Sequence, residues 1–380
     1  MMASLSIFGL EEGYAAVMLA SLVLGGVSGF VMHRADFCMV AAFRDFFLFR
    51  NTRLLKGLLV LVMVSALLFE GVHLAGWLPR YPFPLLAPPS LAGAIGGMFF
   101  GLGMVLAGGC VVGILYRVGA GHFFHAVTLI GLLFGSLIYA EFHPLWAKFF
   151  AHLRLSQEVT LPLISATPSW LWLLTLIILF FLLLRRQLFF PQGGGGVDGY
   201  LSPQRAGIVL AFVGVVSALL LGMPLGVTTT YAKVAGMIET FIFPDHVVSL
   251  AYFKLSPLNL KIPLATQPLQ GGTAPLFDGV MAVQAPLILG VILGGGVSAW
   301  RLREFHPVWL LPRRQWASLL VGGILMGMGA RMAAGCNIWH LWGGIPLFAG
   351  ASLLFVLGLL PGAWLGGVVL TRVVLPNSTR

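Results

Sequence analysis

With 380 residues, of which 59% are hydrophobic and 9% charged, the chain falls outside ordinary soluble domains, which carry about a quarter charged residues. Several segments approach or reach the roughly 20 apolar residues needed to cross a bilayer, so the sequence predicts a polytopic all-α protein with the lipid bilayer as its surroundings. The formal net charge of +10 is spread over loops and forms no basic stripe, which argues against a nucleic-acid partner.

The predicted spans, in chain order, are 15–32, 57–76, 93–107, 123–141, 169–184, 206–222, 280–299, 317–333 and 346–371. The N-terminal MMASLSIFGLEEG has no basic region and is not read as a cleaved signal peptide. Segment 33–56 carries Arg34, Arg44, Arg50, Arg53 and Lys56; segment 185–205 carries Arg185, Arg186 and Arg205; segment 300–316 carries Arg301, Arg303, Arg313 and Arg314; the tail carries Arg372 and Arg380. The proline-rich segment 77–92 has only Arg80, and the long segment 241–279 only Lys254 and Lys261. The positive-inside rule puts the first group in the cytoplasm, with the N-terminus (Glu11, Glu12) outside and the C-terminus inside.

One glycine pattern occurs twice. Gly96-Gly97, Gly101, Gly103, Ala107 and Gly109-Cys110 match Gly322-Gly323, Gly327, Gly329, Ala333 and Gly335-Cys336, every pair 226 positions apart. With the orientation above, the two copies run in opposite directions, as in inverted-repeat transporters whose site lies near the midplane. The expected organisation is four spans, a linker helix and four spans. Residues 1–168 form a first repeat, 169–205 a linker helix with a Gly-rich cytoplasmic loop, and 206–380 a second, inverted repeat including an external loop at 241–279. Segments 93–107 and 317–333 look too short to cross: about 15 residues at 1.5 Å per residue reach only ~22 Å. They are therefore expected to be re-entrant half-helices that stop at Cys110 and Cys336.

The remaining cysteine, Cys38, lies in His33-Arg34-Ala35-Asp36-Phe37-Cys38. Gly25 and Gly29 recur as Gly222 and Gly226, which aligns Cys38 with Ala235, near Thr228-Thr229-Thr230. Three cysteines do not make a disulfide framework.

Three stretches resemble the YeeE/YedE family over nearly the whole chain: Arg34–Met39 with Phe43-Arg44-Asp45, Gly108–Gly113, and Gly329–Ile338. The resemblance implies a bacterial or archaeal inner-membrane protein of hourglass shape that takes up small sulfur compounds. Thiosulfate is the main substrate it implies, and selenium species are an alternative. It places Cys38, Cys110 and Cys336 on the substrate path, implies no catalytic activity of its own and no cofactor, and suggests a small TusA-like cytoplasmic sulfur carrier as partner.

The residue types suit that chemistry. Thiosulfate is a dianion with a soft terminal sulfur, and charge in hydrocarbon is costly. Helix N-termini supply N–H groups to an anion, and the glycines Gly108, Gly109 and Gly335 let backbone approach it. Neutral thiols are weak donors that add no repulsion. Asn337 can cap or line the path, and Arg34 and Arg44, expected to pair with Asp36 and Asp45, can attract anions or simply set topology. Arg331 is either a functional intramembrane arginine or a snorkelling one.

Other motifs are weaker. His122 and His125 offer two ligands and no metal site, and His340 would share a helical face with Cys336. The scattered methionines read as gap fillers. Gly193–Gly196 matches no phosphate-binding loop and reads as a linker. Two other functions use the same thiols: soft-metal transport, with copper or zinc as cargo, and intramembrane sulfur transfer through a persulfide.

Overall fold

The computed structural model describes residues 12–78, 83, 85–183, 199–265 and 268–375. Residues 1–11 with Glu11, Arg80, Arg185, Arg186, the Gly193–Gly196 linker and Arg380 lie outside the described residues. The helices are α1 (Glu12–Arg34), α2 (Met39–Phe49), α3 (Arg53–Leu74), α4 (Leu91–Leu106), α5 (Val111–Gly119), α6 (Ala126–His152), α7 (Leu161–Ile164), α8 (Ser169–Leu183), α9 (Pro203–Leu221), α10 (Thr228–Ile242), α11 (Pro244–Ser249), α12 (Gly279–Arg301), α13 (Arg313–Met332) and α14 (Gly350–Val369). A π-helical segment, Ile338–Gly344, lies between α13 and α14. The strands among the described residues, β1 (Leu258–Leu260) and β2 (Leu269–Gly271), form a short antiparallel ladder.

Each predicted span overlaps a helix. Among the described residues, seven helical stretches are long and apolar enough to cross a membrane, which makes this a multi-pass membrane protein. α8 is shorter, and α13 carries Arg313, Arg314 and Arg331 and is not among the seven.

The helix ends follow from local sequence. The Ser90 hydroxyl accepts the Ala92 N–H and starts α4; the Ser202 hydroxyl accepts the Arg205 N–H and starts α9, with Pro203 in its first turn. Asp278 accepts the Met281 N–H and starts α12.

Between helices the glycines set the geometry. α4 and α13 cross antiparallel: a Cβ on Gly103 would lie 2.6 Å from the Gly322 carbonyl oxygen, and one on Gly96 would lie 2.7 Å from the Ala333 nitrogen. The other two glycines of each pattern face a different neighbour. A Cβ on Gly97 would lie 2.2 Å from Phe355 O on α14, and one on Gly323 2.3 Å from Thr128 O on α6. Close backbone approach over small residues is how membrane helices gain contact without a hydrophobic drive. The repeated pattern is therefore a packing code: positions 96, 103, 322 and 329 join α4 to α13, while 97 and 101 face α14, and 323 and 327 face α6. α1 lies parallel to α12, where Gly25 and Gly29 meet Leu287 and Val291, and α3 lies beside α9, where Gly57 meets Pro203.

The expectation of two short lead-in helices holds in length for α4, which has 16 residues, and is corrected for α13, which has 20 because Arg313, Arg314 and Gln315 extend it beyond its apolar stretch. The short elements come after the cysteines: α2 has 11 residues, α5 has 9 and the π-helical segment 7.

Segments gather at two ends. At one, the Arg34 carbonyl accepts the Leu201 N–H, Val308 N–H donates to Gly121 O, and Phe124 N–H to Val308 O. At the other, Leu91 N–H donates to Leu153 O, Leu161 N–H to Phe348 O and Leu264 N–H to Leu220 O. The long 241–279 segment belongs to the second end and is clasped there by Lys233, whose side chain is fully buried. Its Nζ donates to Asp278 Oδ2 at 2.8 Å, Gly272 O at 3.1 Å and Ala274 O at 2.5 Å. Asp278 Oδ2 also accepts the Gly272 N–H. A buried ion pair is tolerated only when its remaining hydrogen bonds are made, as here.

Candidate functional site

All three cysteines occupy the same local structure. Each follows a helix that ends in a Schellman turn, where the N–H just before the cysteine reaches back five residues: Phe37 to Met32 O (2.8 Å), Gly109 to Met104 O (3.1 Å) and Gly335 to Ala330 O (2.8 Å). The residue two before each cysteine is left-handed: Asp36 (φ 44°), Gly108 (φ 71°) and Ala334 (φ 58°). Each cysteine carbonyl then accepts an N–H from four residues on, from Ala42 (3.1 Å), Ile114 (2.8 Å) and His340 (2.9 Å), so each cysteine opens the next helical element. Each thiol faces the N–H of the third residue after it: Ala41 for Cys38, Gly113 for Cys110 (3.4 Å) and Trp339 for Cys336.

These breaks are brought together in the core. Cys38, Cys110 and Cys336 are free thiols, 2%, 1% and 2% exposed. The Cys38 and Cys110 sulfurs are neighbours: a Cβ on Gly113 would lie 3.1 Å from the first and 3.4 Å from the second. Cys336 is within electrostatic reach of Cys110, and the Thr228 side chain lies beside its thiol.

The alignment of Cys38 with Ala235 does not hold. Ala235 is buried within α10, well past the break. α9 ends at Gly222, left-handed at φ 67°, and the chain runs through Met223–Val227 before α10 opens at Thr228. Gly25 and Gly29 lie inside α1, whereas Gly222 ends α9 and Gly226 lies beyond it, so the glycine match is not a structural equivalence and a threonine run takes the helix start. Gln284 Oε1 accepts the Thr230 N–H at 3.0 Å.

Two arginines adjoin the thiols. Arg331, in the last turn of α13, donates to Thr228 Oγ1 (2.6 Å), Thr229 Oγ1 (3.3 Å) and the Tyr252 hydroxyl (3.2 Å). Its guanidinium is held by these three hydroxyls, one of them from the 241–279 segment. Arg117, on α5, donates to Gly108 O at 2.6 Å, lies 3.6 Å from Asp36 Oδ1 and is within electrostatic reach of Cys38. Arg117 was absent from the sequence reading because the predicted span stopped at 107; the rule that flags Arg331 also flags it once α5 is known. Tyr252 comes from the 241–279 segment, and no local signal marks it.

Of the expected charge pairs, Arg44–Asp45 is present at 2.8 Å. Asp36 instead meets Arg117 and accepts from the Tyr116 hydroxyl (3.3 Å), while Arg34 donates to Gly199 O (2.6 Å) and covers the Phe30 ring. Asn337 is 1% exposed; its Nδ2 lies 3.4 Å from Met104 Sδ and its Oδ1 has no partner. His340 does not line the thiol. Its Nδ1 is 2.9 Å from Ser352 Oγ and its Nε2 3.1 Å from Ala333 O, and it stacks on Phe355, so it braces the turn before Cys336. His122 precedes and His125 ends a short 3-10 turn, and among the described residues the group of three potential metal ligands close enough to share an ion is Glu141, Glu239 and His246, away from the thiols.

A family model described as sulphur transport matches residues 34–365. A protein named thiosulfate transporter TsuA from Spirochaeta thermophila is 30% identical over 369 residues, covering 90% of this chain and 97% of its own length. The Escherichia coli protein of the same name is 27% identical over 92% of this chain and 95% of its own. A probable transporter, YedE of Escherichia coli, is 34% identical over 32% of this chain and 29% of its own. With three thiols on equivalent turns, a match across most of the chain and relatives named as transporters, the chain belongs to the sulphur transport family of YeeE/YedE membrane proteins.

Proposed function

We propose that the protein carries thiosulfate, or a closely related sulfur anion, across the inner membrane along a path formed by Cys38, Cys110 and Cys336. The observation that carries this reading is the convergence of three buried thiols, each opening a helical element with an N–H pointed at its sulfur. N–H groups and thiols are donors without net charge, so they offset part of the cost of an anion without trapping it. Several weak stations favour passage over retention. Asn337 and the turn residues Gly108, Gly109 and Gly335 shape the path around the sulfurs.

The inverted-repeat architecture is supported by the matched packing of the two glycine patterns and by the shared turn at Cys110 and Cys336. α1 then corresponds to α9, α3 to α12, α4 to α13 and α6 to α14. α1 lies on α12 just as α9 lies on α3, which is the pairing a two-fold relation requires. The orientation with N-terminus outside and C-terminus inside is supported by the joining of the Arg34, 199–201 and 301–308 segments at one end. Arg34 and Arg44 sit toward that cytoplasmic end, where a TusA-like sulfur carrier would receive the product.

Uptake of labelled thiosulfate into cells lacking other routes tests the reading. Cys110→Ala and Cys336→Ala each abolish uptake while the protein remains folded and inserted, and Cys38→Ala weakens it less. Normal uptake in both of the first two variants removes the thiol path.

A further inference from the structure

We propose that Arg331, Thr228, Thr229 and Tyr252 form a cup for the sulfonate oxygens of the substrate, holding its terminal sulfur toward Cys336, so that hydroxyls read one end of the anion and thiols the other. This rests on the sulfur-anion reading above and assigns the 241–279 segment a part in specificity.

The first argument is charge. No carboxylate pairs with Arg331 among the described residues, whereas Arg44, Arg117 and Lys233 each have an aspartate. A guanidinium in a membrane protein interior is costly without a counter-charge, and it is stabilised when an anion arrives. The second is donor count. A hydroxyl that accepts from a guanidinium still keeps its own proton. Thr228 sits between Arg331 and Cys336, and the Thr229 and Tyr252 hydroxyls keep protons for anion oxygens. The third is an orphaned group. Tyr231 lies one helical turn beyond Thr228, is 8% exposed, has a hydroxyl with no partner and is within electrostatic reach of Cys336; Arg331 Nε is also buried and unpartnered.

Thr228 touches both Arg331 and Cys336, so the cup and the thiol share a wall. Tyr252 is fixed from behind: the Thr273 hydroxyl donates to its carbonyl at 2.6 Å, next to the Lys233–Asp278 clasp, and its ring packs on Tyr139 and His143. Hard oxygens meet guanidinium and hydroxyl donors, while the soft sulfur meets a soft thiol. An anion with both ends satisfies the whole site; sulfate lacks the second and hydrosulfide the first.

The test uses the full chain, with thiosulfate as the probe. Tyr252→Phe and Thr229→Val each remove one hydroxyl and keep the bulk. Each raises the KM for thiosulfate uptake about tenfold, with the maximal rate per inserted molecule unchanged. Each also shrinks the rise in unfolding temperature that thiosulfate gives the purified protein, while the midpoint without thiosulfate stays at the wild-type value. Wild-type KM and wild-type stabilisation in both variants overturn the cup and leave the thiol path standing. An equal fall in maximal rate and in the thiosulfate-free midpoint also overturns it, because a purely structural role does that. If thiosulfate neither enters through nor stabilises the wild-type protein, the sulfur-anion reading falls, and the cup with it.

Discussion

The breaks at Cys110 and Cys336 share one backbone and differ in everything attached to it. At Cys110 the left-handed position is a glycine, the following element is a regular α-helix, and the nearby Arg117 is spent on Gly108 O and balanced by Asp36. At Cys336 the left-handed position is Ala334, the following element is π-helical, the turn is braced by His340, and Arg331 meets hydroxyls only. A closed electrostatic circuit holds a shape, and an open one waits for a ligand. On the proposed reading, the two breaks offer the same backbone to the path, and the one at Cys336 adds an arginine free to take the anion.

The comparison breaks most severely at its common foundation. Gly97→Leu and Gly323→Leu each force a side chain into a neighbouring backbone at 2.2 and 2.3 Å. Both are expected to abolish folded, monodisperse protein in detergent, measured by size-exclusion chromatography. One variant folding normally would show that the two halves do not depend equally on their glycines.

Next come the arginines. Arg331→Gln is expected to lower thiosulfate uptake about 100-fold, the scale of a lost charge-assisted contact, with little change in unfolding temperature. Arg117→Gln acts in the reverse sense, lowering the unfolding midpoint more than uptake per folded molecule, because it frees Gly108 O and Asp36. The same profile for both would erase the distinction.

A smaller effect tests the brace. His340→Ala leaves the Ala333 carbonyl and Ser352 hydroxyl without this partner, a loss of about 1–3 kcal/mol, and is expected to make Cys336 react faster with maleimide while Cys110 keeps its wild-type rate. The smallest effects are a matched pair at the left-handed positions. Ala334→Gly is expected to leave stability unchanged or raise it by up to about 1 kcal/mol, and Gly108→Ala to lower it by about 1 kcal/mol. Denaturation midpoints read both, and a like sign would show that the two turns are not equivalent.

What the sequence made legible was whatever packing writes at fixed spacing. The glycines at 96, 97, 101 and 103 and their partners near 322–329 are visible because each meets a backbone that admits no side chain. The membrane class and the position of most helices came from apolar length alone. Invisible were features that depend on where the chain returns. The short elements after Cys110 and Cys336 were hidden because their 9 and 7 residues are below any span length. Asp36 was assigned to Arg34, its sequence neighbour, whereas the fold brings in Arg117 from α5. Lys233 finds Asp278, and Arg331 finds Tyr252, across separations that periodicity does not encode. The thiols were found as residues; that they share one turn was not, because Asp36, Gly108 and Ala334 have nothing in common but their φ.

The parallel pairing of α1 with α12 and of α6 with α13 has a consequence for biogenesis. Gly25 and Gly29 face Leu287 and Val291, a backbone that the ribosome makes about 260 residues later. The first half of the nascent chain therefore enters the membrane with its glycine stripes uncovered, and it stays an assembly intermediate until the second half arrives. Severing the chain between the halves would yield two fragments that are each incomplete and fit each other, so co-expressed halves should be recovered together or not at all.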